Sequence, residues 1–174
     1  MESMTQDLGI LLIRVIIGLG MAAHGAQKLF GWFGGYGLKG TGGFMESLGF
    51  RPGVTFAAMS GGGELLGGLL ILLGFLGPIG PALVISVLTV AILTVHIRHG
   101  FFAANNGYEL PLMYIAGALT AAFTSSSMLT LDNLLGITLF HSPAATWIFV
   151  ALGLASGILA ALVRRAPAQS SVSA

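Results

Sequence analysis

A small set of polar side chains interrupts long apolar runs in this chain: Arg14, His24, Gln27, Lys28, Glu64, His96, Arg98, His99, Tyr108 and Glu109. Glu64 is the sharpest signal. It lies inside "GGGELLGGLLILL", where an unpaired ionised carboxylate would be costly, so it must be paired or neutral. Arg14 and His24 are the cations whose depths bracket it. One reading is a buried ion pair that fixes helix register. The other is a carboxylate that binds, or relays a proton to, a small redox ligand, with His96 near the mouth of the same pocket.

His24 and His96 together raise the chemistry of a haem, since two helices could each present an axial histidine. Both fall toward one membrane edge among cations, which disfavours haem. A dinuclear metal site has less support still, because a single carboxylate lies within a span, and no metal ligands are assigned. Lys28 and Arg98 at a membrane edge could simply snorkel. The glycine-rich "GGYGLKGTGG" lacks the GK[ST] ending of a phosphate-binding loop, and no strand precedes it.

These residues need helices to hold them in lipid. The chain has 174 residues, 55% hydrophobic and 7% charged, against roughly 25% charged in soluble domains. A water-facing surface cannot be built from that composition. A spanning helix takes about 20 apolar residues, and five segments approach this: 8–30, 54–76, 78–97, 110–125 and 144–163. The fourth is short. Residues 1–7 are not basic and no small-residue cleavage site follows, so the first run is expected to stay as a helix. Pro78 and Pro81 suit the start of the third helix. Gly63 with Gly67, and Gly153 with Gly157, predict close helix packing. Cysteine is absent, so no thiol-based relay or disulfide is available. Nothing basic enough for nucleic acid is present.

Five crossings would place Lys28, Lys39, Arg51, Arg98, Arg164 and Arg165 at one face, predicted to be cytoplasmic with the N terminus outside. His24, Lys28, His96, Arg98, His99 and Glu109 converge there from three helices. Residues 31–53 are read as an ordered glycine loop, held on the bundle by Phe30, Trp32, Phe33, Tyr36 and Phe44. The tail, residues 164–174, is expected to be disordered.

The fragments "RVIIGLGMAAHGAQKLFGWFGGYGLKGTGGFMESLGF", "GGGELLGGLLILLGFL", "VHIRHGFFAANNGYELPLMYIAGAL" and "LTLDNLLG", in this order and spacing, resemble the DoxX family of small membrane proteins. The resemblance runs over residues 8–136 and implies a four-helix membrane core. Residues 144–163 would then be an additional fifth transmembrane helix, in an all-α membrane protein. The positions matching the family's motif are Arg14, His24, Gly25, Lys28, Gly31, Gly42, Glu64, His96, Gly100, Asn106, Glu109 and Pro111. Some relatives belong to quinol-oxidase or thiosulfate:quinone oxidoreductase systems, and others are linked to oxidative stress or aromatic-compound metabolism.

The resemblance therefore implies a redox-associated protein of a bacterial or archaeal cytoplasmic (inner) membrane, a subunit or accessory of a quinone-linked oxidoreductase system. Glu64 and His96 would carry or tune a proton. Arg14, His24, Lys28, Asn106 and Glu109 would form the ligand-binding set, with quinone as the ligand. Electrons would come from a membrane or peripheral redox partner, and a homo-oligomer is compatible. A non-enzymatic scaffold or chaperone-like subunit is the alternative; a small-solute transporter is weakened by the lack of inverted repeats.

Overall fold

The computed structural model describes residues 2–165. Seven α-helices make up the fold: α1 (Glu2–Phe30), α2 (Gly37–Ser47), α3 (Gly53–Leu73), α4 (Ile79–Ala91), α5 (Glu109–Phe123), α6 (Leu131–Leu135) and α7 (Pro143–Val163). No strand occurs among the described residues. A π turn, Ile92–His96, and a 3-10 turn, Ile97–His99, prolong α4. Four helical stretches are long and apolar enough to cross a membrane: Met4–Phe30, Gly53–Leu73, Ile79–His99 and Pro143–Val163. At 15 residues, α5 is shorter, roughly 22 Å long.

The membrane reading explains which residues face inward. On α1, Leu8, Leu12, Ile16 and Leu19 are all at least half exposed, whereas Arg14, Gly18, Met21, Ala22, Gly25 and Ala26 are buried. Large apolar groups face the surroundings, and small or polar ones face the neighbours. That is the arrangement for helices in lipid, where apolar contact offers no advantage over solvent and close backbone approach does. A Cβ at Gly68 of α3 would lie 2.6 Å from the Gly18 carbonyl of α1, so only glycine permits this crossing. Gly63 and Gly67 face α4, and Gly153 and Gly157 let α7 reach α4. The expected tight packing is present.

Helices α1, α4 and α7 run one way; α3 and α5 return. The pairings show it: Gly25 lies against Gly61 and Gly18 against Gly68, Ser127 beyond α5 bonds Asp7 near the start of α1, and the Arg165 amide donates to the Gly49 carbonyl at 2.9 Å. The described chain thus crosses the bundle five times. Of the tail expected to be disordered, residues 166–174 lie outside the described residues, and Arg165 is tied to the bundle by that bond.

Residues 31–53 are ordered as expected, but they are not a loop. They form a 3-10 turn, Trp32–Gly34, and the eleven-residue helix α2. Glycine disfavours helix by about 1 kcal/mol per residue, and here tertiary contact overrides that preference. Gly42 sits so close to α3 that a Cβ would meet Val54 Cγ2 at 2.9 Å. Phe30, Trp32, Phe33, Tyr36 and Phe44, expected to hold the segment down, are instead exposed, Phe33 at 72% and Tyr36 at 87%. Met45 and Phe50, packed on Ala57, do that instead. The outward Trp32 and Tyr36 suit a membrane interface.

Candidate functional site

Lys28 lies in the last turn of α1, on the face turned to α3. Its ammonium donates to Glu64 Oε1 and, at 3.1 Å, to Ser60 Oγ. Ser60 and Glu64 stand four apart on α3 and so project from one face toward the same amine. Glu64 is 3% exposed. Its partner was expected to be Arg14 or His24; it is Lys28. The reason is register: antiparallel packing of α1 on α3 brings Gly25 to Gly61 and Gly18 to Gly68, which leaves Lys28 over Glu64 and carries Arg14 to the far end of α3.

One atom of the pair is unmatched. Glu64 Oε2 is buried and has no hydrogen-bond partner, alone in this among the side chains of the described residues. A buried carboxylate oxygen in that condition is destabilising by about 1–3 kcal/mol or more, which the single ion pair only partly offsets. A buried polar atom of this kind marks Glu64 as a candidate functional group.

Lys28 also borders an open cleft of about 530 Å³, between the end of α1 and α2. Gln27, Gly35, Tyr36, Thr41 and Phe44 complete its walls. Gln27 is braced on both sides: its Oε1 accepts from His24 Nδ1 at 3.2 Å and its amide donates to the Phe33 carbonyl at 3.2 Å. Thr41 donates to the Lys28 carbonyl, tying α2 to α1. His24 itself is exposed and stands edge-on to Tyr114, with ring centroids 5.7 Å apart. The cleft therefore offers one cation, one amide, two hydroxyls and two aromatic rings, and Glu64 stands behind Lys28 without lining it.

The remaining predicted residues serve other places. His96 Nδ1 donates to the Asn106 carbonyl at 2.8 Å, and Glu109 Oε2 accepts from the Ala103 amide at 2.8 Å. Asn106 has a left-handed backbone, φ 61°. These three shape the connection from α4 to α5 at the Lys28 end, and none of them lines the cleft. Arg14 is at the opposite end. Its guanidinium donates to the carbonyls of Ile71 and Leu72, each at 2.9 Å, and to that of Leu129, capping the last turn of α3.

Sequence reasoning passed over the polar groups around Arg14. Asp132 is fully buried and accepts from the Leu76 and Gly77 amides and from His141 Nε2 at 2.9 Å. Asp7 accepts from the Ser127 hydroxyl at 2.6 Å. Thr130 before "LDNLL" is a helix N-cap signal that marked the position of Asp132, though not its burial. Ser60, four residues before Glu64, was likewise legible by spacing. Among the described residues no group of three or more His, Cys, Asp or Glu could hold a metal ion.

Comparison with known proteins matches residues 9–97, just over half of the chain, to the family model described as DoxX. A Bacillus subtilis (strain 168) protein named "Putative oxidoreductase CatD" is 29% identical over 126 residues, covering 72% of this chain and 86% of the relative. No solved structure matches.

Proposed function

This chain belongs to the DoxX family of multi-pass membrane proteins, and we propose that it is a subunit or accessory of a quinone-linked oxidoreductase system. The name of its B. subtilis relative supports redox association. The observation that carries the reading to a site is the buried, unpartnered Glu64 Oε2 behind a lysine that lines an open cleft. A quinone head group fits the residues present. It needs a donor to a carbonyl oxygen, which Lys28 supplies, and flat apolar walls, which Tyr36, Phe44 and the glycine backbone supply.

When bound, a quinone supplies the capacity to take up a pair of electrons and a pair of protons. The chain's own residues handle orientation and protons. Lys28 holds a carbonyl oxygen by a charge-assisted hydrogen bond and can deliver a proton to it. Glu64 fixes the ammonium and stabilises its charge, and Ser60 shares that task. His24, through Gln27, sets the polar side of the cleft. This chain has no cysteine for a thiol relay, so electrons come from a redox partner protein or pass directly between bound ligands. The Lys28 end also carries Lys39, Arg51, Arg98, Arg164 and Arg165, which points that end toward the cytoplasm.

The test is to identify any quinone carried by the purified protein, and to measure occupancy and turnover in Glu64→Gln. The amide is nearly isosteric and can still accept from Lys28, but it has no charge to hold the ammonium. The expected variant accumulates in the membrane with near-normal melting and loses quinone occupancy. Normal occupancy and turnover in a stable Glu64→Gln protein would leave Glu64 as a register pin. No quinone bound or taken up by the wild type would favour the scaffold reading.

A further inference from the structure

One wall of the cleft is a short turn that gains little packing from its position. Between α1 and α2 the chain passes through Gly31, the 3-10 turn Trp32–Gly34, Gly35 and Tyr36, and the last three residues of this stretch line the cleft. The turn buries no residue, and the rings of Trp32 and Phe33 are exposed. Yet Phe33 holds a left-handed backbone, φ 52° and ψ 34°. A bulky side chain makes that conformation unfavourable, so it persists only where the surroundings impose it.

Gln27 imposes it. Its side-chain amide donates to the Phe33 carbonyl at 3.2 Å, and its Oε1 accepts from His24 Nδ1, which fixes the way round that the amide faces. Among the described residues, Gln27 is the one side chain hydrogen-bonded to the turn. The turn also lies directly on this residue: a Cβ at Gly35 would fall 2.6 Å from Gln27 Cβ. The Gly35 amide donates to the Trp32 carbonyl at 2.9 Å, which closes the turn on itself and ties it to nothing else. At the two ends of the segment, Gly31 (φ 74°) and Gly37 (φ 64°) occupy the region that glycine enters without strain. They are its hinges.

We propose that residues 31–37 are a gate on the Lys28 cleft and that Gln27 is its latch. Latched, Gly34, Gly35 and Tyr36 close one side of the cleft. When the bond from Gln27 to Phe33 breaks, Phe33 relaxes to a right-handed or extended backbone, the turn leaves α1, and the mouth beside Lys28 widens. Strain at Phe33 opposes the latch bond, so the two states lie close in free energy and a ligand that prefers one of them shifts the balance. Release uncovers no core, because the turn buries nothing and α2 stays seated through Met45 on Ala57. His24 is a positioning residue here: it holds the amide in the orientation that reaches Phe33. The gate rests on the cleft being the ligand site, as read above, and holds whatever that ligand is.

The experiment uses the full-length protein in lipid nanodiscs without added quinone. Mass spectrometry reads hydrogen exchange of the backbone amides over residues 32–36, and acylation of Lys28 by a bulky biotinyl ester. Lys39, exposed and the only other lysine, is the internal standard for labelling. Gln27→Leu removes the latch and keeps the bulk, and should raise both readings about fivefold, the worth of one hydrogen bond. Gly35→Ala has a backbone that suits alanine, φ −76° and ψ 170°, but its methyl pushes the turn off Gln27, so both readings should rise with the latch residue intact. It carries the test if Gln27→Leu does not accumulate. Phe33→Gly removes the strain and should lower both readings.

The opposite sign of the last variant is what separates a strained gate from general loosening, which would raise both readings in all three proteins. Unchanged exchange in Gln27→Leu, or in Gly35→Ala where that variant stands in, would overturn the latch. Faster exchange with Lys28 labelling unchanged would mean a turn that moves without gating, and would overturn the gate. Faster exchange in Phe33→Gly would assign the order of the turn to the Phe33 ring and overturn the role of Gln27. Quinone enters none of these readings, so the gate and the quinone reading fail separately.

Discussion

At the Arg14 end of the bundle, a guanidinium caps three carbonyls, Asp132 takes two amides and a histidine, and Asp7 takes a serine hydroxyl. The space beside Arg14 is about 10 Å³, room for one water at most. At the Lys28 end, one carboxylate oxygen is buried without a partner, and Lys28 faces a cleft of about 530 Å³. Both ends bury ionic groups in the same bundle. Satisfaction and empty space separate them: the first end closes its hydrogen bonds on itself, and the second leaves donor capacity facing a volume large enough for a ring. Burial of charge alone does not mark a site; burial with an unmatched group beside a cavity does.

The largest effect is expected at the closed end. Arg14→Met strands buried carbonyls of Ile71, Leu72 and Leu129, and should destabilise the protein by roughly 3 kcal/mol or more. Arg14→Lys should recover only part of this, since an ammonium lacks the planar fork. Thermal unfolding in detergent reads the loss directly. Quinone occupancy per folded molecule should stay normal. A stable Arg14→Met protein that had lost its quinone would break the comparison and move function to the other end.

Next comes the open end. Lys28→Met leaves Glu64 as an uncompensated buried charge, a loss of about 3 kcal/mol. Adding Glu64→Leu should restore most of that stability, because paired apolar replacements of buried ions are often neutral. It should not restore quinone binding. The double-mutant cycle separates the two roles: stability recovers and occupancy does not. Recovery of both would sink the assignment of Lys28 to the ligand.

How far the sequence could go follows the same division. The spans were legible because lipid demands long apolar runs, and α7 was as clear as α1. Glu64 was legible because its environment makes a carboxylate conspicuous. Its partner was not: choosing Lys28 over Arg14 needs the offset between α1 and α3, and glycine-mediated contact sets that offset in space, not in composition. Helix α2 was missed for a related reason. Gly37, Gly40, Gly42 and Gly43 read as loop by propensity, while the value of Gly42 lies in how closely it meets Val54. Asp132 and Asp7 were missed because they sit at span ends, where an acidic residue ordinarily meets water.

The smallest effect is expected at His96, which lies at the open end yet does not line its cleft. Its Nδ1 donates to the Asn106 carbonyl, where the left-handed turn toward α5 is made. An asparagine amide can place a donor near the position of Nδ1, so His96→Asn keeps this bond while removing the imidazole's acid–base chemistry. If His96 holds the connection, His96→Asn should match the wild type in melting and in quinone occupancy. His96→Ala should lose about 1 kcal/mol by leaving the carbonyl unpartnered. If His96 instead passes protons to the cleft, both variants should slow turnover alike, with occupancy retained and the pH profile altered. Turnover against pH in the asparagine variant is the measurement that decides. Slow turnover there would extend the open end from the Lys28 cleft to the α4–α5 connection, and normal turnover would confine it to α1, α2 and α3.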